Sequence, residues 1–276
     1  MLTFRMPDID RVSALMRDVA ETEILPYFRD LANAGIREKN GPADLVTLAD
    51  EAAERVLTPQ LAALLPGSTV LGEEAASADP RLLERVRGDA PVWIIDPVDG
   101  THNFAHGKPM FAVIVALVCQ GETLAGWIYD PNDGRLATAV KGEGAWLDGK
   151  RARVAPPVPV GRMAAALSPR NCAEEISLKV QEGSKGLGEY FYLASAAQEY
   201  LRLLDGSLHA TMYHRLMPWD HAAGVLMHAE AGGHAAMLNG TPYNPSVTGG
   251  GLMMAPDRES WQALHRHIFG TGTRFD

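Results

Sequence analysis

The chain has 276 residues, 46% hydrophobic and 21% charged, so it can bury a sizeable core without disulfides or a structural metal. Lysine and arginine number 25 against 34 aspartates and glutamates, a formal charge of −9. That balance excludes a broad basic face for nucleic acid or anionic membrane, but not a small anionic substrate met by a bound cation. Two cysteines, Cys119 and Cys172, exclude a disulfide framework.

The N-terminal MLTFRMPDIDRV carries no apolar leader segment, and the longest apolar stretch, Phe111 to Cys119, is too short to span a membrane. A cytoplasmic protein is expected. From Asp8 to about Ala34 apolar residues recur at helical spacing, with Pro26 expected to kink or divide the helix. GPADLVTLAD reads as a turn and a short extended piece, after which Asp50 starts a helix that ends near Leu64, before Pro66-Gly67. Thr69-Val70-Leu71 and Val92 to Ile95 read as short strands ending at Gly72-Glu73-Glu74 and Asp96-Pro97. Four β-rich segments follow at 111–119, 122–130, 135–140 and 145–147, with turn residues between them, which predicts an antiparallel meander.

The Pro- and Val-rich stretch 153–161 reads as a crossover, dividing an α+β subdomain (1–155) from an α/β subdomain (156–276) that closes the site. In the second half strands near 163–167, 190–193 and 208–213 alternate with helices near 173–182, 195–204 and 219–231, and Asn239-Gly240 marks a further hairpin.

Three acidic elements stand at the ends of apolar segments or at a helix start: Glu73-Glu74, the Asp96-Pro97-Val98-Asp99-Gly100-Thr101 string, and Trp219-Asp220. Strand ends aim side chains into a common mouth. Pro97 turns the chain sharply after Asp96, so Asp96 and Asp99 issue from one tight loop. A hard divalent cation with oxygen ligands relieves the repulsion between them, favouring Mg²⁺, Mn²⁺ or Ca²⁺ over zinc. Gly100-Thr101 lets backbone N–H groups approach an anion, and metal ligands beside an anion cradle describe phosphoryl chemistry. The i, i+4 pair His102/His106 lacks the intervening glutamate of a zinc helix, and GSKGLG does not follow a strand as a nucleotide cradle must.

WIIDPVDGTHNFAHG and WDHAAGVLMHAEAGG, with DLVTLAD, LGEE and KGEGAWLDG in the same order, resemble the signatures of the inositol monophosphatase superfamily over about Lys39 to Tyr243. The resemblance implies a layered αβαβα sandwich, of the α+β class, and Mg²⁺-dependent, Li⁺-sensitive hydrolysis of a phosphomonoester by a homodimer. Carried over position by position, Glu73, Asp96 and the Val98 carbonyl would bind one metal. Asp96, Asp99 and Asp220 would bind a second, and Glu73 would hold a third through water. Mn²⁺ is expected to substitute. Gly100 and Thr101 would bind phosphate, and Thr101 with Asp50 would orient the attacking water. Glu74 is expected to support Glu73, and Lys39 falls where the family's mobile loop carries a lysine near the metals.

Substrate choice departs from the pattern. Tyr213 stands where inositol-preferring members carry a polyol-contacting glutamate, and the family's G-T-A element reads Ala194-Ser195-Ala196. Ser195, Tyr213 and Asp220 are the expected substrate contacts, and His214 or Arg215 facing the mouth would favour a second anionic group. The same fold acting on histidinol phosphate, fructose 1,6-bisphosphate or 3′-phosphoadenosine 5′-phosphate stays open. So does a regulatory, partner-binding protein with incidental phosphatase activity.

Overall fold

The computed structural model describes residues 4–41, 44–270 and 275. The expected turn at residues 42 and 43, and the first three residues of the N-terminal stretch, lie outside the described residues. In chain order the first half comprises α1 (Ile9–Val19), α2 (Leu25–Arg29), β1 (Arg37–Gly41), β2 (Asp44–Val46), α3 (Leu48–Leu64), β3 (Thr69–Gly72), α4 (Glu73–Ala78), β4 (Val92–Asp99) and α5 (Thr101–Ala105). The meander follows as β5 (Ala112–Cys119), β6 (Glu122–Tyr129), β7 (Leu136–Val140), β8 (Gly144–Leu147) and β9 (Lys150–Arg151). The second half comprises β10 (Ala164–Leu167), α6 (Glu174–Ser184), β11 (Glu189–Tyr190), α7 (Ala196–Asp205), β12 (Ala210–Tyr213), α8 (Pro218–Glu230), β13 (His234–Met237), β14 (Leu252–Ala255) and α9 (Arg258–Phe269).

The expected α+β layered sandwich is what forms. A seven-stranded sheet of order β3-β4-β5-β6-β7-β8-β9 and a five-stranded sheet of order β11-β10-β12-β14-β13 are the two β layers. The period-2 alternation of strand side chains assigns each residue to one core layer. Trp93, Ile95, Val113, Val115 and Leu117 face α1 and α3, whereas Val92, Ile94, Ile114, Ala116 and Val118 face the middle layer of α7 and α8. In the smaller sheet Ala164, Ala166, Leu252 and Met254 look to the middle layer, and Ala165, Leu167, Met212 and Met253 look to α6 and α9. Strands covered on both faces read as continuous apolar runs, which is why β4 and β5 show no polar alternation.

The expected division of the N-terminal helix at Pro26 is seen, and three other expectations are corrected. The N-terminal helix breaks before Pro26, through a π-helical turn at Ala20–Ile24 in which the Leu25 N–H reaches back to the Ala20 carbonyl. Pro26 has no N–H, and its ring crowds the carbonyl four residues back, so the turn widens ahead of it. The strand expected at 190–193 is only Glu189–Tyr190, because the chain leaves the sheet and Ala194 takes a left-handed conformation (φ 54°). The second half is not a wholly alternating α/β layer: β10 pairs in parallel with β11 and β12, but β14 runs antiparallel to β12 and β13. Asn239-Gly240 makes a local turn, with the Gly240 N–H on the Met237 carbonyl, at the start of a long β13–β14 connection rather than a tight hairpin. The helix α9, capped by Asp257 and packed through Trp261, Leu264 and Ile268, was not among the expected elements.

Candidate active site

Asp96 and Asp99 are three residues apart, and in a regular strand they would point to opposite faces. The β4–β5 register removes that difficulty. Asp96 pairs with Ile114 and Asp99 with Ala112, so Pro97 and Val98 together stand opposite the single Val113. Proline cannot donate to the ladder, and the resulting bulge shifts the side-chain alternation by one. Both carboxylates then fall on the same side of the sheet. The Val98 N–H donates to Asp96 at 3.0 Å, which fixes the loop from within.

Asp220 enters from the first turn of α8, and oxygens of Asp96, Asp99 and Asp220 lie within 4.8 Å of one another. Burial, reinforced by Glu73, Asp99 and Asp220, pushes the Asp96 carboxyl well above the usual range. Burial likewise raises Asp220 well above it, with Asp99 and Glu73 adding to the effect, and raises Asp99 to about 6. Asp99 is raised less because it accepts from the Ser195 hydroxyl and from the backbone N–H groups of Ala197 (2.9 Å) and Ala196 (3.2 Å). Three carboxylates this close, two of them buried and one half-buried, can all be ionised only around a cation.

Glu73 and Glu74 begin α4, directly after β3. Lys39, on the β1 hairpin, spans them, with Nζ 3.0 Å from Glu73 and 2.6 Å from Glu74. Burial opposes charge on that ammonium, but the two glutamates more than offset it and hold its pKa above the ordinary lysine value. Burial raises the Glu74 carboxyl to about 8 despite the lysine. Glu54, one of the residues not picked out in the sequence, accepts the N–H groups of Glu74 (2.8 Å) and Ala75 (2.9 Å) and so clamps the start of α4. Gly72 must be glycine here, since a Cβ would run into the Glu54 carboxylate.

The third element is a chain of hydroxyls and one carboxylate. Thr47, not Asp50, is the N-cap of α3, and Asp50 is its third residue in a T-x-x-D capping box. Asp50 Oδ2 accepts from the Thr47 N–H (2.8 Å) and hydroxyl (2.6 Å), which leaves Oδ1 for the Thr101 hydroxyl at 3.2 Å. Thr101 also lies within 3.0 Å of the Val98 carbonyl. Burial raises Asp50 to about 7. Gly100, in the left-handed region (φ 88°), turns the chain from β4 into α5 with the Met110 carbonyl 2.8 Å from where a Cβ would stand. Asn103 then ties this loop to the second half by donating to the carbonyls of Met110 (2.9 Å) and Leu193 (2.8 Å).

These groups open onto a cavity of about 360 Å³ lined also by Ser195, Tyr213, His214, Arg215 and Glu199. The Ser195 hydroxyl is committed to Asp99, and Ser195 caps α7 through the Gln198 N–H (3.2 Å). Tyr213 is buried at the end of β12, its ring 4.5 Å from that of His221 and its hydroxyl against the Glu199 carboxylate. Glu199, another residue the sequence did not single out, is buried beside it, and burial lifts its carboxyl to about 8.

The family model for the inositol monophosphatase family matches residues 9–269. The chain belongs to the inositol monophosphatase family. The inositol-1-monophosphatase of Mycobacterium leprae (strain TN) is 34% identical over 236 residues, covering 82% of this chain and 79% of its own. That of Bacillus subtilis (strain 168) is 31% identical over 225 residues, covering 78% and 82%. The solved structure of the extragenic suppressor protein suhB from Bartonella henselae has a TM-score of 0.83 at 26% identity, over 96% of this chain and 99% of that one.

The donor set of this inositol monophosphatase family member fits a hard divalent cation. Asp96, Asp99 and Asp220 supply only oxygen, the first two buried and the third half-buried, and the Lys39 ammonium is taken up by the neighbouring Glu73 and Glu74. Of the overlooked residues, Thr47 carried a readable signal in the T-x-x-D box, whereas Glu54, Asn103 and Glu199 act through contacts made only in the fold.

Proposed function

We propose that this chain is a Mg²⁺-dependent phosphomonoesterase that hydrolyses a small phosphorylated metabolite by direct attack of water. The observation that carries it is the Asp96–Asp99–Asp220 cluster opening onto the same cavity as the Thr101–Asp50 hydrogen bond. Glu73, Asp96 and the Val98 carbonyl would hold one Mg²⁺, and Asp96, Asp99 and Asp220 a second. A third would sit outside Glu73, and Mn²⁺ would serve in place of Mg²⁺. When bound, the metals neutralise phosphoryl charge and make a water acidic enough to attack.

The protein's own groups do the rest. Thr47 saturates Asp50 Oδ2, so Asp50 Oδ1 accepts the hydrogen bond of the Thr101 hydroxyl and leaves the Thr101 oxygen free to accept one from the attacking water. The Gly100 and Thr101 N–H groups hold the phosphate, where the left-handed Gly100 allows close approach. Asp220 and Tyr213 face the alcohol half of the substrate.

A homodimer, inhibition by Li⁺ and a cytoplasmic location belong to the same proposal. Among the described residues no helix is long and apolar enough to cross a membrane. The test is phosphate release from a panel of phosphomonoesters with Mg²⁺, with chelator, and with Mg²⁺ plus Li⁺. Release that needs Mg²⁺ and falls with Li⁺ supports the proposal; release that is indifferent to chelator contradicts it. Light scattering checks the dimer.

A further inference from the structure

The cavity that holds the carboxylates is also lined by three cations from three separate loops: Lys108 after α5, Arg170 after β10 and Arg215 before α8. Among the described residues none of the three forms an ion pair, although exposed arginines and lysines elsewhere on this acidic chain commonly do. Arg170 is instead stacked 4.8 Å over the ring of Tyr192, which lines the same cavity and aligns the guanidinium without neutralising it. Lys108 and Arg170 both act on His102, whose pKa is lowered first by burial and then by these and His106, so the positive groups face a common space.

The acids lining the cavity are already engaged. Glu73 is held by Lys39, Asp99 by Ser195, Ala196 and Ala197, and Asp220 by a hydrogen bond with Asp96 and the charge of Arg215. Glu199 accepts the Leu193 N–H and lies beside Tyr213. Lys108 and Arg170, brought together from separate loops without an acidic partner among the described residues, incur a repulsion that an incoming anion relieves.

A second observation points to a ligand in the same place. His214 Nε2 is buried without a hydrogen-bond partner among the described residues, in a residue only 8% exposed that lines the cavity. Buried polar atoms left unpaired in a protein interior are rare, and at a cavity wall they are completed by what binds there.

Given the phosphatase activity proposed above, on which this inference rests, we propose that the substrate's alcohol half carries a second oxyanion. Arg170, Lys108 and Arg215 bind that group, while His214 hydrogen-bonds the polar body between it and the scissile phosphate. Carboxylate and phosphate offer the same chemistry to these cations, so the substrate class is a phosphomonoester bearing a carboxylate or a second phosphate.

The test compares kcat/KM within matched pairs in Mg²⁺. Glycerol 3-phosphate against 3-phosphoglycerate isolates a carboxylate, and fructose 6-phosphate against fructose 1,6-bisphosphate isolates a phosphate. At least one doubly anionic member is expected to exceed its partner tenfold or more, with the advantage shrinking as salt rises. The R170A/R215A double variant should lose at least tenfold more on that ester than on its singly anionic partner, and R170K should recover part of the difference. Thermal melting of each variant checks that the fold is kept. Equal kcat/KM within both pairs, or an advantage that survives in R170A/R215A, overturns the second-oxyanion subsite and leaves the phosphatase proposal standing. No hydrolysis of any of the four overturns both.

Discussion

The Thr101 hydroxyl lies 3.2 Å from Asp50 Oδ1, joining the turn after β4 to the first turn of α3 across 51 positions of sequence. Asp50 is itself fixed by the α3 capping box, so one carboxylate ends a helix and orients a hydroxyl in the cavity. T101A and D50N are each expected to lower kcat about 10²-fold or more with little change in KM, the loss typical of a displaced acid–base group. Steady-state kinetics on any accepted phosphomonoester decide it, and a variant within threefold of wild type would remove this pair from the chemistry.

Thr47 should show both faces of that arrangement. T47A removes the α3 N-cap and one of two donors to Asp50 Oδ2. It is expected to cost about 1 kcal/mol of stability in urea unfolding, as lost caps do, and also to reduce kcat. Loss of stability with kcat intact would mean that Thr47 serves the helix alone.

Gly100 is constrained by conformation and by space. Its φ is 88°, and a Cβ would meet the Met110 carbonyl at 2.8 Å and the Ser195 side chain at 3.1 Å. G100A is expected to destabilise the fold by about 1–3 kcal/mol, the cost of such backbone strain, and to weaken inhibition by inorganic phosphate. Denaturant unfolding and phosphate inhibition measure the two effects separately.

Stability should depend on pH in a way that metal removes. Burial holds Asp50 at about 7 and Glu74 and Glu199 at about 8 in the folded chain, against about 4 when unfolded. A raised carboxyl binds its proton more tightly when folded, so its contribution is complete at low pH and is lost as pH rises through the folded value. The buried histidines His214, His221 and His228, lowered to about 4, act in the opposite sense, but only between about 4 and 6.5. Above pH 6.5 or so the carboxyls act alone. In chelator the melting temperature should therefore fall between about pH 6.5 and 8, and saturating Mg²⁺ should flatten the decline. A chelated protein with a level melting temperature over that range would contradict the electrostatics described.

Lys39 stands in for part of that metal charge at Glu73 and Glu74. K39A leaves two nearly buried glutamates without a counter-ion and should destabilise the chelated protein by on the order of 2 kcal/mol. The loss should be smaller in Mg²⁺. Differential scanning calorimetry in the two conditions gives the comparison, and equal losses in both would separate Lys39 from the metal site.

Much of this site can be read from the sequence because it is written in short, local strings. Asp-Pro-Val-Asp-Gly-Thr encodes the strand end, the bulge and the turn within six residues, and Trp219-Asp220 marks the start of α8. What escaped was set by tertiary contact. Glu54 looks like any surface glutamate of a helix until α4 arrives above it, and Asn103 gains its role from carbonyls some 90 residues away. The shortened β11 follows from Ala194 turning left-handed to bring Ser195 onto Asp99, a demand no local propensity records. The helix α9 is legible in the sequence, with Asp257 as cap and apolar residues at 261, 264 and 268, but it carries no site motif.

The central claim, that the buried carboxylates bind the metal that hydrolysis needs, is tested most directly by D96N, compared with wild type in Mg²⁺ calorimetry and phosphate release. Asp96 lies at the centre of the cluster and is buried to 2% exposure. D96N is expected to stay folded, to lose Mg²⁺ binding and to release phosphate at less than about a thousandth of the wild-type rate, the scale of losing metal-assisted catalysis. A folded D96N that binds Mg²⁺ and hydrolyses phosphomonoesters like the wild type would contradict the account.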